Sequence, residues 1–223
     1  MKYTINIIAG CHCPIARKFS IALDKAQLTC NGKIASMTER EILERLKFES
    51  RSAEQDKNYY CVAPSLFLRK RGIYQAGEFY GGVAKRANDI SAVFQEYRIK
   101  VNFLIEPTLH HLNRHFNDLD EAAKEELKTG ENCSPSWVPA LLSLYDNMPN
   151  ASITVWDLRS VELWKGKLLS SMCAETSVNS MEKLIKEKTV KDVNFQFDRA
   201  RDIERFELDL DMIDSLPEFN LVE

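Results

Sequence analysis

A Cys11-His12-Cys13 run follows Gly10, which closes a short β-rich segment, and the first basic residues after it are Arg17 and Lys18. A loop between a strand and the start of a helix presents successive backbone N–H groups. With a nearby cation, such a loop cradles phosphate-type oxygens. His12 has the chemistry of a general base toward a hydroxyl. The Cys13 thiolate is favoured where a helix begins, because the helix dipole is positive there. Further along stand His110, His111 and His115. The last two are spaced i, i+4 and share a helix face, as paired metal ligands do. Cys11, Cys13 and these histidines form a Cys/His metal set on one reading, and ordinary loop and satisfied polar residues on the other. Arg69-Lys70-Arg71 reads as a solvated loop, with a contact for a sulfated or phosphorylated acceptor as its alternative.

These residues are carried by alternating strands and helices. Tyr3 to Ala9 reads as a strand, Ile15 to Ala26 as an amphipathic helix, and Tyr59 to Ala63 as a second strand ended by Pro64. Thr38 with Glu41 three residues on makes a capping box for another helix. Gly77 to Gly82 is a loop holding Phe79 and Tyr80. Lys85 to Tyr97 follows as a helix, with Ala87, Ile90, Val93, Phe94 and Tyr97 on its buried stripe. Lys100 to Ile105 is a strand stopped by Glu106-Pro107, and Thr108 to Leu119 is helical. A charged helix and loop cover Asp120 to Ser134. Then come a helix at Ser136 to Tyr145, a strand at Ile153 to Trp156 and a helix at Val161 to Met172, with a charged stretch at Asn179 to Lys188. The helix from Asp202 to Leu216 shows Ile203, Phe206, Leu210 and Ile213 on one face, and Phe219 to Val222 adds a last strand. Strands alternating with helices imply a parallel sheet covered on both faces.

Composition narrows the classes. The 223 residues are 44% hydrophobic and 28% charged, with a net charge of −3, which describes one globular domain over residues 1–223 with no broad attraction to nucleic acid. The opening residues are too few and too polar for a secretory signal, and no apolar run is long enough to span a bilayer. A cytoplasmic chain is expected, its six cysteines reduced, with Cys61 packed as a small hydrophobe. Trp137, Trp156 and Trp164 are expected in the core.

The run Ile7-Ile8-Ala9-Gly10-Cys11-His12 before a helix start resembles the opening of bacterial sulfotransferases that use the donor PAPS. Gly77-Glu78-Phe79-Tyr80 ahead of the next helix and Val101 to Ile105 resembles that family's approach to its second signature strand. Ser136-Trp137-Val138, Ile153-Thr154-Val155-Trp156-Asp157 and Phe206 to Ile213 with Leu216-Pro217 resemble its later elements. The resemblance implies a three-layer α/β fold of the P-loop sulfotransferase type and a cytoplasmic, nucleotide-binding transferase. Such an enzyme moves a sulfuryl group from PAPS to a hydroxyl of a small-molecule or saccharide acceptor. For such an enzyme His12 is the candidate base, Arg17 or Lys18 the candidate cation standing in for the family's loop lysine, and Gly10, Cys11, Cys13, Ala16, Asn113 and Arg114 lie around the donor.

The chain departs from the family at both donor contacts. The loop lysine's place is held by Cys13, and Pro14, Ile15, Ala16 and Arg17 follow where small hydroxyl residues are expected. Pro14 has no N–H to give. The arginine expected at the end of the second signature strand is replaced by Ile105 or Glu106, and the serine two turns on by Asn113 or Arg114. A carboxylate there repels a phosphate unless a cation neutralises it. Three readings follow: a transferase with degenerate donor motifs, a non-catalytic relative that binds a ligand or protein partner in the same crevice, and a Cys/His metal-binding protein.

Overall fold

The first strand places Ile7 and Ile8 side by side in sequence, so they point to opposite faces of a sheet. Both are fully buried, the signature of a parallel strand covered on each side. The computed structural model describes residues 3–10, 34–36, 38, 40–42, 44, 58–64, 66–67, 73–75, 78–129, 135–159, 167 and 197–222. Strands β1 (Tyr3–Gly10), β2 (Ile34–Ser36) and β3 (Asn58–Val62) are followed by a two-stranded hairpin, β4 (Tyr74–Gln75) and β5 (Glu78–Phe79). Strands β6 (Tyr97–Ile105), β7 (Ala151–Asp157) and β8 (Phe219–Val222) complete the set.

Six strands form one sheet in the order β2-β3-β1-β6-β7-β8, and every pairing in it is parallel. Among the described residues the helices with defined bounds are α1 (Val83–Val93), α2 (Thr108–Arg114), α3 (Glu121–Thr129), α4 (Val138–Asp146) and α5 (Arg199–Asp214). Helix α1 packs on α4, and α5 packs on α2, α4 and β8. The α/β architecture with a parallel sheet flanked by helices is as expected. Among the described residues no helix is long and apolar enough to cross a membrane.

Strand β1 lies between β3 and β6, while its successor in sequence, β2, lies beyond β3. The strand order therefore reverses at β1, and in open parallel sheets ligands occupy the crevice at the carboxyl ends beside such a reversal. Gly10 closes β1 there with φ +102°, opposite Leu104 of β6. A Cβ at Gly10 would lie 2.2 Å from the Leu104 carbonyl oxygen, so only glycine lets the two strand ends approach this closely.

Several boundaries differ from the sequence reading, each for a physical reason. Tyr97 opens β6 instead of closing the preceding helix, because it pairs in register with Tyr3; it is buried all the same. The segment after Pro107 ends its α-helix at Arg114 and continues as a 3-10 turn, Phe116–Asp118. Ile203 is 45% exposed, and the buried face of α5 instead includes Asp202 and Asp209 beside Phe206, Leu210 and Ile213. The short strands β2, β4 and β5 had no sequence counterpart. The capping box is present: the Thr38 N–H donates to Glu41 Oε2 (2.6 Å) and the Glu41 N–H to Thr38 Oγ1 (3.2 Å). Trp137, Trp156 and Cys61 are buried. The expected helices at Ile15 to Ala26 and Val161 to Met172, the stretch Asn179 to Lys188, Arg69-Lys70-Arg71 and Trp164 lie outside the described residues, apart from Lys167.

Candidate functional site at the carboxyl ends of the central strands

Pro107 cannot continue the β6 ladder, because it has no N–H and forces extended backbone before it. It starts α2 directly, and helical spacing then places His110 and Arg114 one and two turns beyond Glu106. Glu106 is buried and uses both of its oxygens. Oε1 accepts from His111 Nδ1 at 2.9 Å and Oε2 from Arg114 Nη2 at 3.0 Å. His110 Nε2 stands 3.9 Å from Oε2 and 3.3 Å from Arg114 Nη2.

Donor chemistry fixes both imidazoles. An arginine only donates, so His110 Nε2 accepts from Arg114 and the proton sits on Nδ1. A carboxylate only accepts, so His111 donates from Nδ1, leaving Nε2 to accept from the Tyr80 hydroxyl. Tyr80, His111, Glu106 and Arg114 thus form one directed row. Burial drives the pKa of His111 down to about 4, against the upward pull of its Glu106 hydrogen bond. Burial raises the Glu106 carboxyl, but the His111 hydrogen bond and the Arg114 charge together carry it below its ordinary range. The result is a neutral imidazole between a buried hydroxyl and an ionised carboxylate.

Aromatic side chains wall this row. Tyr80 stacks on Trp137 with ring centroids 5.0 Å apart, and Phe79 meets Trp137 edge-on at 4.7 Å. The Trp137 indole donates to the Glu106 carbonyl at 2.7 Å. Tyr80 has φ +60°, a left-handed conformation uncommon for a bulky residue. It is held there by this packing and by its N–H bond to the Ile73 carbonyl (2.9 Å).

At the end of the next strand, buried Asp157 accepts from Arg159, with Nη2 to Oδ2 at 2.8 Å. Arg159 also reaches Glu207 Oε1 at 2.7 Å and lies over the Phe206 ring at 4.7 Å. Arg114 and Arg159, the arginines described at these strand ends, are therefore engaged by carboxylates of the chain itself.

Helix α5 anchors two of the surrounding elements. Asp202 accepts the N–H groups of Leu109 (3.0 Å) and His110 (3.1 Å) at the start of α2. Asp209 accepts the Ser136 hydroxyl (2.7 Å) and the Trp137 N–H (2.8 Å) at the start of α4. Burial raises both aspartates above their ordinary pKa, opposed by these hydrogen bonds.

Of the residues expected at a donor site, Gly10 and Arg114 come to the same edge of the sheet, on β1 and on α2. Arg114 binds Glu106 there, and Asn113 is buried on α2. Cys11, His12, Cys13, Ala16, Arg17 and Lys18 lie outside the described residues. Of the Cys/His metal alternative, Cys11 and Cys13 lie outside the described residues; the His111 and His115 rings lie 4.8 Å apart, and both nitrogens of His111 are committed to Glu106 and Tyr80. Among the described residues no three His, Cys, Asp or Glu side chains are grouped to hold a metal ion. The sequence reading did not single out Tyr80, Asp202, Asp209 or Arg159 as site residues. The i, i+4, i+8 spacing of Glu106, His110 and Arg114 is a local signal that the sequence reading did not use, and Tyr80 entered that reading only as a loop aromatic in a stretch of the resemblance.

No protein-family model matches the chain, and neither a curated protein nor a solved structure matches it significantly.

Proposed function

We propose that this chain is a sulfotransferase-like protein that binds a ligand at the carboxyl ends of β1, β6 and β7 without transferring a sulfuryl group from PAPS. The observation that carries this reading is the engagement of Arg114 by Glu106 and of Arg159 by Asp157 and Glu207. A multiply charged donor needs a preorganised positive field. Here two arginines stand against three carboxylates, so the described strand ends do not fit the donor's phosphates.

Calorimetric titration with adenosine 3′,5′-bisphosphate, together with a PAPS-consumption assay over a panel of hydroxyl acceptors, tests the reading. No heat at millimolar nucleotide and no turnover is the expected result. Ligands lacking phosphate and sulfate groups are then the ones expected to raise the melting temperature. Nucleotide binding that weakens in an Arg17→Ala/Lys18→Ala variant, with PAPS turnover, would instead establish the transferase.

A further inference from the structure

Neither α2 nor α4 is capped by the side chain of the residue before it, although at α4 the Ser136 hydroxyl accepts the Val138 N–H at 3.2 Å. The residue before α2 is Pro107 and the one before α4 is Trp137, and neither side chain accepts from the helix it precedes. Helices ordinarily satisfy these orphan N–H groups with a local Ser, Thr, Asp or Asn. Here α5 supplies the acceptors for Leu109 and His110 through Asp202 and for Trp137 through Asp209, two aspartates that are seven residues apart and share its buried face.

A local cap would stabilise each helix without desolvating a carboxylate. A cap from a distant element does one thing more: it fixes where the helix start sits relative to that element. The His110 N–H is itself one of the groups Asp202 holds. Its imidazole is the exposed one of the Glu106, His110 and Arg114 group, at 44% side-chain exposure against 6% for Glu106 and 14% for Arg114.

We infer that Asp202 is a positioning residue, tying α5 to the rim of the crevice so that His110 presents a fixed Nδ1–H donor to whatever occupies it. The chain of contacts is short. Asp202 holds the His110 backbone, that placement brings Nε2 to Arg114, and the Arg114 donor leaves the proton on Nδ1.

The test reads the tautomer directly. Long-range proton–nitrogen correlation spectra of the full chain are recorded at about pH 8, where a free imidazole is neutral, and His111 serves as internal control. The wild type is expected to show a single Nδ1–H tautomer for His110. Asp202→Asn is close in shape and keeps the fold, and it is expected to lose that signature, with His110 drifting toward a tautomer mixture while His111 stays unchanged. A second variant separates positioning from simple capping: Asp202→Ala combined with Pro107→Ser restores an acceptor at the start of α2 but not the link to α5. A His110 mixture that persists there supports positioning. A single Nδ1–H tautomer in either variant would overturn the inference.

Discussion

The His111 imidazole makes stability depend on pH in a window set by its burial. The side chain is fully buried, and its ring takes a proton only near pH 4, against an ordinary value of 6.5. Between those values the unfolded chain binds a proton that the folded chain refuses, so stability falls as pH falls. The contribution is present in full above about pH 6.5 and is lost by about pH 4. At about 1.4 kcal/mol per pH unit, it amounts to about 3 kcal/mol. With a urea m-value of about 3 kcal/mol/M, the unfolding midpoint drops by about 1 M across the window. Other groups titrate there too, so the decisive measurement is a difference. His111→Asn keeps a donor toward Glu106 but cannot titrate, and its stability should fall less steeply from pH 7 to pH 4.5. Wild-type and variant curves that run parallel over that range would refute the reasoning.

Gly10→Ala should cost roughly 2–5 kcal/mol, combining left-handed strain with a clash against the Leu104 carbonyl; thermal unfolding or a collapse in soluble yield reads it. Glu106→Gln removes the carboxylate that Arg114 binds and should cost about 3–5 kcal/mol. Adding Arg114→Met should recover part of that loss, which a double-mutant cycle in urea measures. On α5, Phe206→Ala should cost about 3–5 kcal/mol because the ring is 1% exposed. Leu208→Ala, at a position 61% exposed, should stay within about 0.5 kcal/mol by the same assay.

What could be read from the sequence divides along physical lines. The long strands and the amphipathic helices were legible because their period is set by burial on one or both faces, as in the Ile5 to Ala9 run and in Phe206, Leu210 and Ile213. The capping box at Thr38 was legible because its partners are three residues apart. The spacing of Glu106, His110 and Arg114 is local, yet the sequence reading paired His111 with His115 and placed Arg114 beside the donor. Glu106 was foreseen as repelling a phosphate unless a cation neutralised it, and Arg114, expected beside the donor, is that cation. Tyr80 and Asp202 were not legible as site residues, because their partners lie 31 and 92 residues away and no local pattern encodes such a meeting. Asp202 and Asp209 also sit where periodicity predicts a helix's polar edge, and tertiary hydrogen bonds draw them inside.

The central place of β1 has a consequence for synthesis. Its eight residues precede both of its neighbours in the sheet, β3 and β6, and the latter is complete only at Ile105. From Gly10 to Ile105 is 95 residues, which takes about 5–20 s at ordinary elongation rates. Throughout that interval a strongly apolar strand has no finished sheet to enter. The centre of the sheet can close only once β6 is made, and β7 and β8 are added to it afterwards.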